Sequence, residues 1–246
     1  MEKAKIIIVE ETGSTNSLLA DMARRGEAQD GCVVAARCQS AGRGQRGNSW
    51  ESEPGKNLTF SMLFAGRGVD VSRQFFISEA VALGVAEVIA DEIAGCGVEV
   101  SVKWPNDIYI GDKKVCGILI ENSLTGRCVE RSIAGIGVNI NQEVFVSDAP
   151  NPVSLKQIDG IDRDTDKILG KIAAKIGAYM DCCESLHKRY MNRLWRRQGF
   201  FKYIDNAKGE VIEARIKDVR ETGHLVLELR DGEEREFAFK EVTAVL

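Results

Sequence analysis

Four short apolar segments, separated by turn residues in the middle of the chain, constrain its fold more than any other feature. They span residues 98–104, 108–110, 114–122 and 128–141. Gly111-Asp112 and Thr125-Gly126 lie between them, and both pairs are typical of tight turns. Strand-length segments joined in this way predict a meander in a mainly antiparallel sheet.

Helical segments flank this meander along the chain. Residues 72–93 carry apolar side chains at helical spacing, and residues 165–197 form a second long helical region with an expected interruption near Gly177. Residues 31–38 are typical of a further strand, whereas residues 150–164, rich in Asn, Pro, Asp and Gly, are typical of a connecting loop. The sequence therefore predicts an α+β fold, with a mixed, mainly antiparallel sheet flanked by helices.

The pattern changes after residue 198. Short alternating runs follow, and turns at Thr222-Gly223 and Asp231-Gly232 divide them. Short alternating runs divided by turns are typical of a small β module of the SH3-like barrel type. We therefore expect two domains, residues 1–198 and residues 199–246.

Composition excludes several classes of protein. The chain has 246 residues, 44% of them hydrophobic, which is enough for a catalytic core and a small extra module. A net charge of -4 and a pI near 5.5 argue against a general nucleic-acid binder, which would present a basic face. No stretch resembles a signal peptide or a membrane span, so we expect a cytoplasmic protein with no membrane partner.

Cysteine and histidine usage argues against disulfide and zinc chemistry. The seven cysteines are odd in number and form no C-x-x-C pair, and the chain has only two histidines. Cys116 has no histidine nearby in the sequence that could serve it as a base. We therefore expect Cys116 to be a small buried apolar residue rather than a nucleophile.

A segment that alternates glycine with arginine, residues 39–50, predicts an anion site. Its glycines let backbone N–H groups turn toward an anion, and Arg43 and Arg46 supply full positive charge. Trp50 offers a flat face to a base. The spacing also fits the dinucleotide-binding fingerprint, but that motif requires a helix after the glycines, and here an apolar strand follows at 58–64.

This segment is one of four motifs whose order and separation are specific as a set. The other three are Ser14-Thr15-Asn16, residues 103–107 (KWPND) with 113–121, and residues 134–141. Together the four resemble the catalytic domain of monofunctional biotin protein ligases, the biotin-[acetyl-CoA-carboxylase] ligases, from near the N-terminus to about Asn141. The resemblance implies the biotin/lipoate ligase fold, similar to that of class II synthetases, with a small C-terminal SH3-like β domain.

The resemblance also implies an ATP-dependent reaction in two steps. In this family, the carboxylate of biotin attacks the α-phosphate of Mg-ATP and gives biotinyl-5'-AMP and pyrophosphate. A lysine of a biotin carboxyl carrier domain then takes the acyl group. We therefore expect ATP and Mg²⁺ as cofactors, biotin as substrate and the carrier domain of a biotin-dependent carboxylase as partner. The oligomeric state stays open between monomer and homodimer.

Individual residues take their expected roles from the same resemblance. Lys103 matches the catalytic lysine, and Arg43 matches the residue that clamps the biotin carboxylate and later the adenylate phosphate. The expected biotin-binding residues are Ser14, Thr15, Asn16, Gln39, Gly42, Arg43, Gly44, Lys103, Gly117 and Gly135. The expected ATP- and adenylate-binding residues are Arg43, Gln45, Arg46, Trp50, Asn106, Asp107 and Asn139. Protein ligands for Mg²⁺ stay undefined, because the triphosphate can supply most of the oxygens.

The chain departs from the family pattern in two places. Gln45 stands where family members commonly have arginine. A neutral amide cannot neutralise a phosphate, so we expect weaker retention of the adenylate. Bifunctional members begin with a helix-turn-helix domain, whereas Met1 leads almost directly into the first expected strand, so we expect no DNA partner.

Two other functions stay open at this point. A lipoate or octanoate protein ligase or transferase shares the fold and the acyl transfer to lysine, but Ser14-Thr15-Asn16 and residues 103–107 resemble the biotin branch. A non-catalytic adenylate-binding protein would bind the ligand without releasing AMP, and the presence of Lys103 argues against it.

Overall fold

The computed structural model of the protein describes residues 5–44, 49–147, 149–181 and 185–245. The strands of its larger sheet are β1 (Ile6–Thr12), β2 (Val33–Gln39), β3 (Leu58–Ala65), β4 (Val100–Lys103), β5 (Asp107–Ile110), β6 (Lys113–Thr125) and β7 (Cys128–Val138). They lie in the order β1-β2-β3-β7-β6-β5-β4. Only β1 and β2 pair in parallel, and the other neighbours pair antiparallel. The predicted meander and the mixed sheet are confirmed.

The helices lie mainly where the sequence predicts them. They are α1 (Thr15–Arg24), α2 (Phe75–Glu92), α3 (Leu155–Asp159), α4 (Thr165–Asp181) and α5 (Leu186–Arg193). Helix α2 is buried on most sides because it contacts the larger sheet, α4 and α5. A Cβ atom at Gly84 would lie 2.6 Å from Cγ1 of Ile176, so this glycine lets α2 and α4 approach closely. Within the described ranges, no helix is long and apolar enough to span a membrane.

Two local predictions are wrong. Helix α4 continues through Gly177, which is buried, and ends at Asp181. Packing on one face of this helix outweighs the weak helix propensity of glycine. The expected loop at 150–164 contains α3, which begins with a capping box: the Ser154 hydroxyl accepts from the Gln157 N–H, and the Gln157 side chain accepts from the Ser154 N–H. The S-x-x-Q pattern was the sequence signal for this helix.

The two faces of the larger sheet bury different cores. On one face Phe60 and Met62 of β3 pack in the main core that includes α2. On the other face Leu63 joins a smaller cluster with Leu19 of α1. Cys116 belongs to the main core and is fully buried, and burial raises the pKa of its thiol well above the usual value. Its expected role as a buried apolar residue is confirmed.

The C-terminal residues form a second sheet of five antiparallel strands. They are β8 (Phe201–Asp205), β9 (Glu210–Val219), β10 (Leu225–Leu229), β11 (Glu234–Phe237) and β12 (Val242–Ala244). The strand order is β11-β10-β9-β8-β12. The β module is confirmed, but closure into a barrel is not, because the end strands β11 and β12 do not pair with each other in the part of the chain that is described. The domain boundary at residue 198 stays a prediction.

The second sheet contacts the larger one through several specific side chains. Trp104 Nε1 donates to the Gly223 carbonyl at 3.0 Å, and a Cβ atom at Gly223 would lie 2.7 Å from the Phe75 ring. The His187 ring in α5 lies between two carboxylates, with Nδ1 2.6 Å from Glu79 and Nε2 3.3 Å from Asp218. Glu79 belongs to α2, which packs on the larger sheet, and Asp218 belongs to β9 of the second sheet. His187 therefore connects the two sheets through these two carboxylates.

This histidine makes the stability of the protein pH-dependent. Burial would lower the pKa of His187, but the hydrogen bonds and charges of Glu79 and Asp218 outweigh it and raise the pKa above 6.5. A group whose pKa rises on folding stabilises the fold at low pH and loses that contribution as pH passes its folded pKa. The melting temperature should therefore fall between about pH 6 and pH 8.

Thermal unfolding at a series of pH values checks this, with His187→Gln and His224→Gln as a matched pair. His224 is partly exposed and bonds Thr222 in its own turn. The His187 variant should lose much of the slope and the His224 variant should retain it. The same slope in all three proteins would contradict the assignment.

Candidate active site

A cavity of about 780 Å³ opens on the α1 face of the larger sheet. The start of α1, the end of β2, strands β6 and β7, and residues 145, 147, 149, 150 and 152 contribute to its lining. It brings together eleven of the residues expected from the sequence: Ser14, Thr15, Asn16, Gln39, Arg43, Gly44, Trp50, Asp107, Gly117, Gly135 and Asn139. Motifs that are far apart in the chain thus meet at one place.

The remaining expected residues lie elsewhere. Lys103 lines a separate cavity of about 200 Å³, and Asn106 is buried beside another of about 370 Å³. Gly42 is not among the residues that line the main cavity, and its carbonyl accepts from the Trp50 N–H at 3.1 Å. The expectations for Gln45 and Arg46 fall outside the described residues.

Glycines of β6 and β7 form the floor of the main cavity. A Cβ atom at Gly135 would lie 2.3 Å from Asn16 Oδ1, and one at Gly137 would lie 2.3 Å from the Trp50 ring. Gly117, the register partner of Gly137, also faces this ring. Asn16 and Trp50 therefore lie directly on the backbone of the sheet, a position that larger residues in these strands would prevent.

One end of the cavity is lined by neutral hydrogen-bonding groups. Gln39 Oε1 accepts from the Thr15 N–H at 2.8 Å and from its hydroxyl at 3.1 Å. The Ser61 hydroxyl lies 2.8 Å from Thr15 Oγ1 and 2.5 Å from Asn16 Oδ1. Ser14 is the N-cap residue of α1, yet its side chain makes no capping hydrogen bond. These side chains are fixed by one another, so the donors and acceptors at this end are preorganised.

Ser61 and Glu121 support this end and were not expected from the sequence. Ser61 is fully buried. A serine within the apolar strand β3 is the sequence signal that could have identified it as a site residue. Glu121 Oε2 accepts from Asn16 Nδ2 at 2.7 Å and from Arg43 Nη2 at 3.2 Å. Arg43 and Glu121 are each more than two-fifths exposed, so their ion pair contributes at most about 1 kcal/mol and leaves Arg43 available to an anionic ligand.

The structure places Lys103 away from the main cavity. Its Nζ donates to the Tyr109 hydroxyl at 3.1 Å and lies 5.0 Å from the Tyr109 ring centre and 5.6 Å from that of Trp195. These cation–π contacts hold the ammonium against the C-terminal part of the chain. The expectation that Lys103 serves the same site as Arg43 therefore lacks support in the geometry.

Lys114 is the lysine that lines the main cavity. Its Nζ lies 2.6 Å from Asp107 Oδ2, and its Cε would be 3.3 Å from a Cβ atom at Gly117. The β5–β6 register shifts here, because Ile108 pairs with Cys116 whereas Tyr109 pairs with Lys114. The extra residue in β6 is a bulge, and it turns Lys114 to the same face as Gly117. Strict strand alternation would have turned Lys114 to the opposite face.

Oxygen atoms suited to a nucleotide or its metal lie near Lys114. Asn139 is almost fully buried, and its Nδ2 donates to the Val153 carbonyl at 3.1 Å. Its Oδ1 has no hydrogen-bond partner among the residues described. Asp107 is the carboxylate at the same end. Amide and carboxylate oxygens suit Mg²⁺, but no cluster of three or more His, Cys, Asp or Glu ligands occurs in the described ranges. These residues fit a metal held mainly by phosphate oxygens.

Phe239 connects the C-terminal sheet to the site. Its side chain lines all three cavities and packs edge-on against Trp104, with ring centres 6.0 Å apart. The wall of the main cavity therefore includes a residue from outside the larger sheet.

The fold and the cavity define a member of an acyl-ligase family. Residues 8–139 match the model of the biotin/lipoate A/B protein ligase family, which is more than half of the chain. The chain belongs to this family. The matched range contains both the neutral end of the cavity and Lys114.

Among its curated relatives, the chain is 31% identical over 189 residues to the bifunctional ligase/repressor BirA of Salmonella typhimurium, covering 75% of this chain and 56% of that protein. It is 30% identical over 171 residues to the biotin-[acetyl-CoA-carboxylase] ligase of Mycobacterium tuberculosis, covering 70% of this chain and 62% of that protein. The chain thus spans about half the length of the curated relatives it matches.

The solved structure of the biotin protein ligase from Aquifex aeolicus in complex with biotin and ATP superimposes with a TM-score of 0.79. The match covers 98% of both chains at 23% sequence identity. It establishes the fold along the whole chain, including the C-terminal sheet.

Proposed function

We propose that this chain is an ATP-dependent biotin protein ligase, which joins biotin to a lysine of a carrier domain through biotinyl-5'-AMP. One observation carries the proposal: a single cavity has a neutral hydrogen-bonding end and a charged end, joined by a floor of glycines. Biotin has a polar ring at one end of an apolar tail and a carboxylate at the other. Relatives named as biotin ligases support the same conclusion.

The neutral end is proposed to bind the ureido ring. This ring offers two N–H donors and one carbonyl acceptor, so it requires fixed partners of both kinds. Ser14 and Thr15 supply hydroxyls, and Gln39 and Asn16 supply amides that their neighbours already orient. The tail is then proposed to lie beside Trp50 and Asn16, which rest on the backbone at Gly117 and Gly135 because these positions have no side chain.

The charged end is proposed to activate the carboxylate. A carboxylate oxygen of biotin forms a bond to the α-phosphorus of ATP, the bond from that phosphorus to the bridging oxygen breaks, and pyrophosphate leaves. Lys114 and Arg43 neutralise charge on the reacting oxygens, and Asp107 holds the Lys114 ammonium in place. We assign the catalytic lysine role to Lys114 rather than Lys103 on this geometry.

The second step transfers the acyl group. The neutral ε-amine of the acceptor lysine attacks the acyl carbon, the bond from that carbon to the AMP oxygen breaks, and the amine loses a proton. Lys114 lines the charged end, and the exposed Arg43 side chain is proposed to exchange Glu121 for the phosphate, so the cations proposed to assist formation of the adenylate would also assist departure of AMP. The carrier domain itself is proposed to be that of a biotin-dependent carboxylase.

The nucleotide is proposed to lie between Trp50 and the lining residues Phe145, Ser147 and Pro150. Trp50 presents an aromatic face, and Nε1 of its indole has no hydrogen-bond partner in the described structure. Asn139 Oδ1 and Asp107 would hold Mg²⁺ together with the phosphates, and the ion would neutralise charge on the triphosphate. Gly42 and Gly44 allow the backbone of the arginine segment to approach the phosphate.

Lipoate fits the cavity less well than biotin. The dithiolane ring of lipoate has no N–H or carbonyl group, so it would gain none of the hydrogen bonds that Thr15, Asn16 and Gln39 can offer to a ureido ring. A hydrogen bond contributes about 0.5–1.5 kcal/mol, so the absence of two or three of them disfavours lipoate by one or more orders of magnitude. We further propose a cytoplasmic location, because the scattered, odd-numbered cysteines suit a reducing compartment.

Mass spectrometry of a carrier domain incubated with the protein, ATP, Mg²⁺ and biotin tests the proposal. The carrier should gain one biotinyl group and AMP should accumulate, whereas lipoate in place of biotin should give little product. Omitting ATP provides the control. Binding of biotin and ATP without AMP release would favour a non-catalytic adenylate-binding protein, and preferential lipoylation would favour the lipoate branch.

A further inference from the structure

Glu51 connects two segments that line the main cavity, and no motif singled it out. It directly follows Trp50, the last residue of the arginine segment 39–50. Its Oε1 accepts from the Val146 N–H at 2.9 Å, and its Oε2 accepts from the Ser147 N–H at 2.9 Å. Gln142 Nε2 adds a third bond to Oε1 at 3.1 Å. One carboxylate therefore accepts three hydrogen bonds from the opposite segment.

Apart from Glu51, polar contacts near its start hold this opposite segment, residues 142–147, against the protein. The side chains of Val144 and Val146 are 69% and 84% exposed, so apolar burial does not anchor them. Gln142 is 2% exposed and accepts from the Glu53 N–H at 2.9 Å and from Asn57 Nδ2 at 2.5 Å. The Glu143 carbonyl accepts from Gln157 Nε2 at 2.7 Å, and its carboxylate lies 3.4 Å from Lys156 Nζ. These contacts fix the start of the segment, and Glu51 fixes its end.

The end of the segment that Glu51 holds includes Phe145, which lines the main cavity. Phe145 is partly buried and lines the main cavity, and the two N–H groups that Glu51 binds belong to the next two residues. At the other end of the connection, Trp50 lies on Gly117 and Gly137, and its N–H bonds Gly42. Glu51 thus connects the wall that contains Phe145 to Trp50.

We propose that Glu51 is a positioning residue that holds the segment 142–147 as the wall of the nucleotide end of the main cavity. The inference rests on the proposed function for the identity of the ligand.

Glu51→Gln is the sharpest test, because all three partners of Glu51 are donors. The glutamine amide has the same shape, but its NH₂ group must face one of those donors. Hydrogen bonds to charged groups contribute about 1.5–3 kcal/mol, so the KM for ATP should rise about 10-fold or more. The KM for biotin should change less than about 3-fold, since the residues of the neutral end do not contact Glu51.

Hydrogen exchange provides a second readout that needs no turnover. The amides of Val146 and Ser147 should exchange faster in Glu51→Gln than in the wild-type protein, and affinity for a non-hydrolysable ATP analogue, measured by calorimetry, should fall in parallel. Glu53→Gln is the matched control: it makes the same change of charge two residues away, at an exposed side chain. This control should behave as the wild-type protein.

Three results would overturn the proposal: unchanged exchange at Val146 and Ser147, an unchanged affinity for the ATP analogue, or equal rises in the KM for ATP and for biotin. The last result would indicate general loosening. A wild-type protein that binds the analogue but forms no biotinyl-5'-AMP would count against the proposed function alone, because exchange and calorimetry still report on Glu51.

Discussion

Replacement of Lys114 by methionine should slow the formation of biotinyl-5'-AMP by about 10²–10³-fold, because removal of a preorganised charge from a reacting oxygen typically costs that much. The Nζ atom lies in the main cavity beside Asp107 and above the glycine floor. Methionine keeps much of the length and apolar surface of the lysine stem, so the fold should be retained. Pyrophosphate exchange and single-turnover adenylate formation measure the effect.

Lys103→Met is the matched variant, and it should slow the same step far less. It removes the same charge from β4, which is separated from β6 by β5, and from a position beside the rings of Tyr109 and Trp195. The pair of variants separates the role implied by the family motif from the role implied by the geometry. A larger loss in Lys103→Met than in Lys114→Met would return the catalytic role to Lys103.

Gly135→Ala should weaken biotin binding by about 10²-fold while leaving a folded protein. The added Cβ atom would lie 2.3 Å from Asn16 Oδ1, so the Asn16 side chain must leave its place. Asn16 would then lose the bonds to Ser61 and Glu121 that orient it and could no longer offer its amide to the ureido ring. The loss of about two hydrogen bonds to the ligand accounts for up to about 3 kcal/mol. Calorimetry with biotin measures the loss of affinity, and circular dichroism checks the fold.

Gly170→Ala is the control for this glycine. It lies in α4, where a Cβ atom would meet nothing within 4 Å, and alanine favours a helix more than glycine by about 1 kcal/mol. This variant should bind biotin normally and unfold at a slightly higher temperature. Normal biotin affinity in Gly135→Ala would mean that the neutral end of the cavity does not bind the ureido ring.

The meander, the helix at 72–93 and the C-terminal β module could be predicted because each depends on local information. Turn residues and strand-length apolar runs specify hairpins, and apolar spacing specifies a helix, over short stretches of chain. The two failures in the helical regions have different causes. Tertiary packing carries α4 through Gly177, whereas the capping box of α3 was a local signal left unused.

The neutral end of the site could also be expected in part. Thr15, Asn16 and Gln39 were identified from motifs and do lie together on the cavity. Ser61 and Glu121 were not, because their importance comes from strand neighbours. Ser61 of β3 and Glu121 of β6 reach Asn16 only after β7 has paired between those two strands.

The sequence by itself determined the kinds of element and the family to which the chain belongs, whereas the anion-binding role of the arginine segment stays a prediction. Only the tertiary structure decided which lysine enters the cavity. A single bulged residue in β6 turns Lys114 from the main-core face of the sheet to the α1 face. The alternation of residue types along a strand cannot reveal such an insertion. The structure likewise decided that the C-terminal sheet is open and that Phe239 reaches the site, because both depend on how distant segments pair and dock.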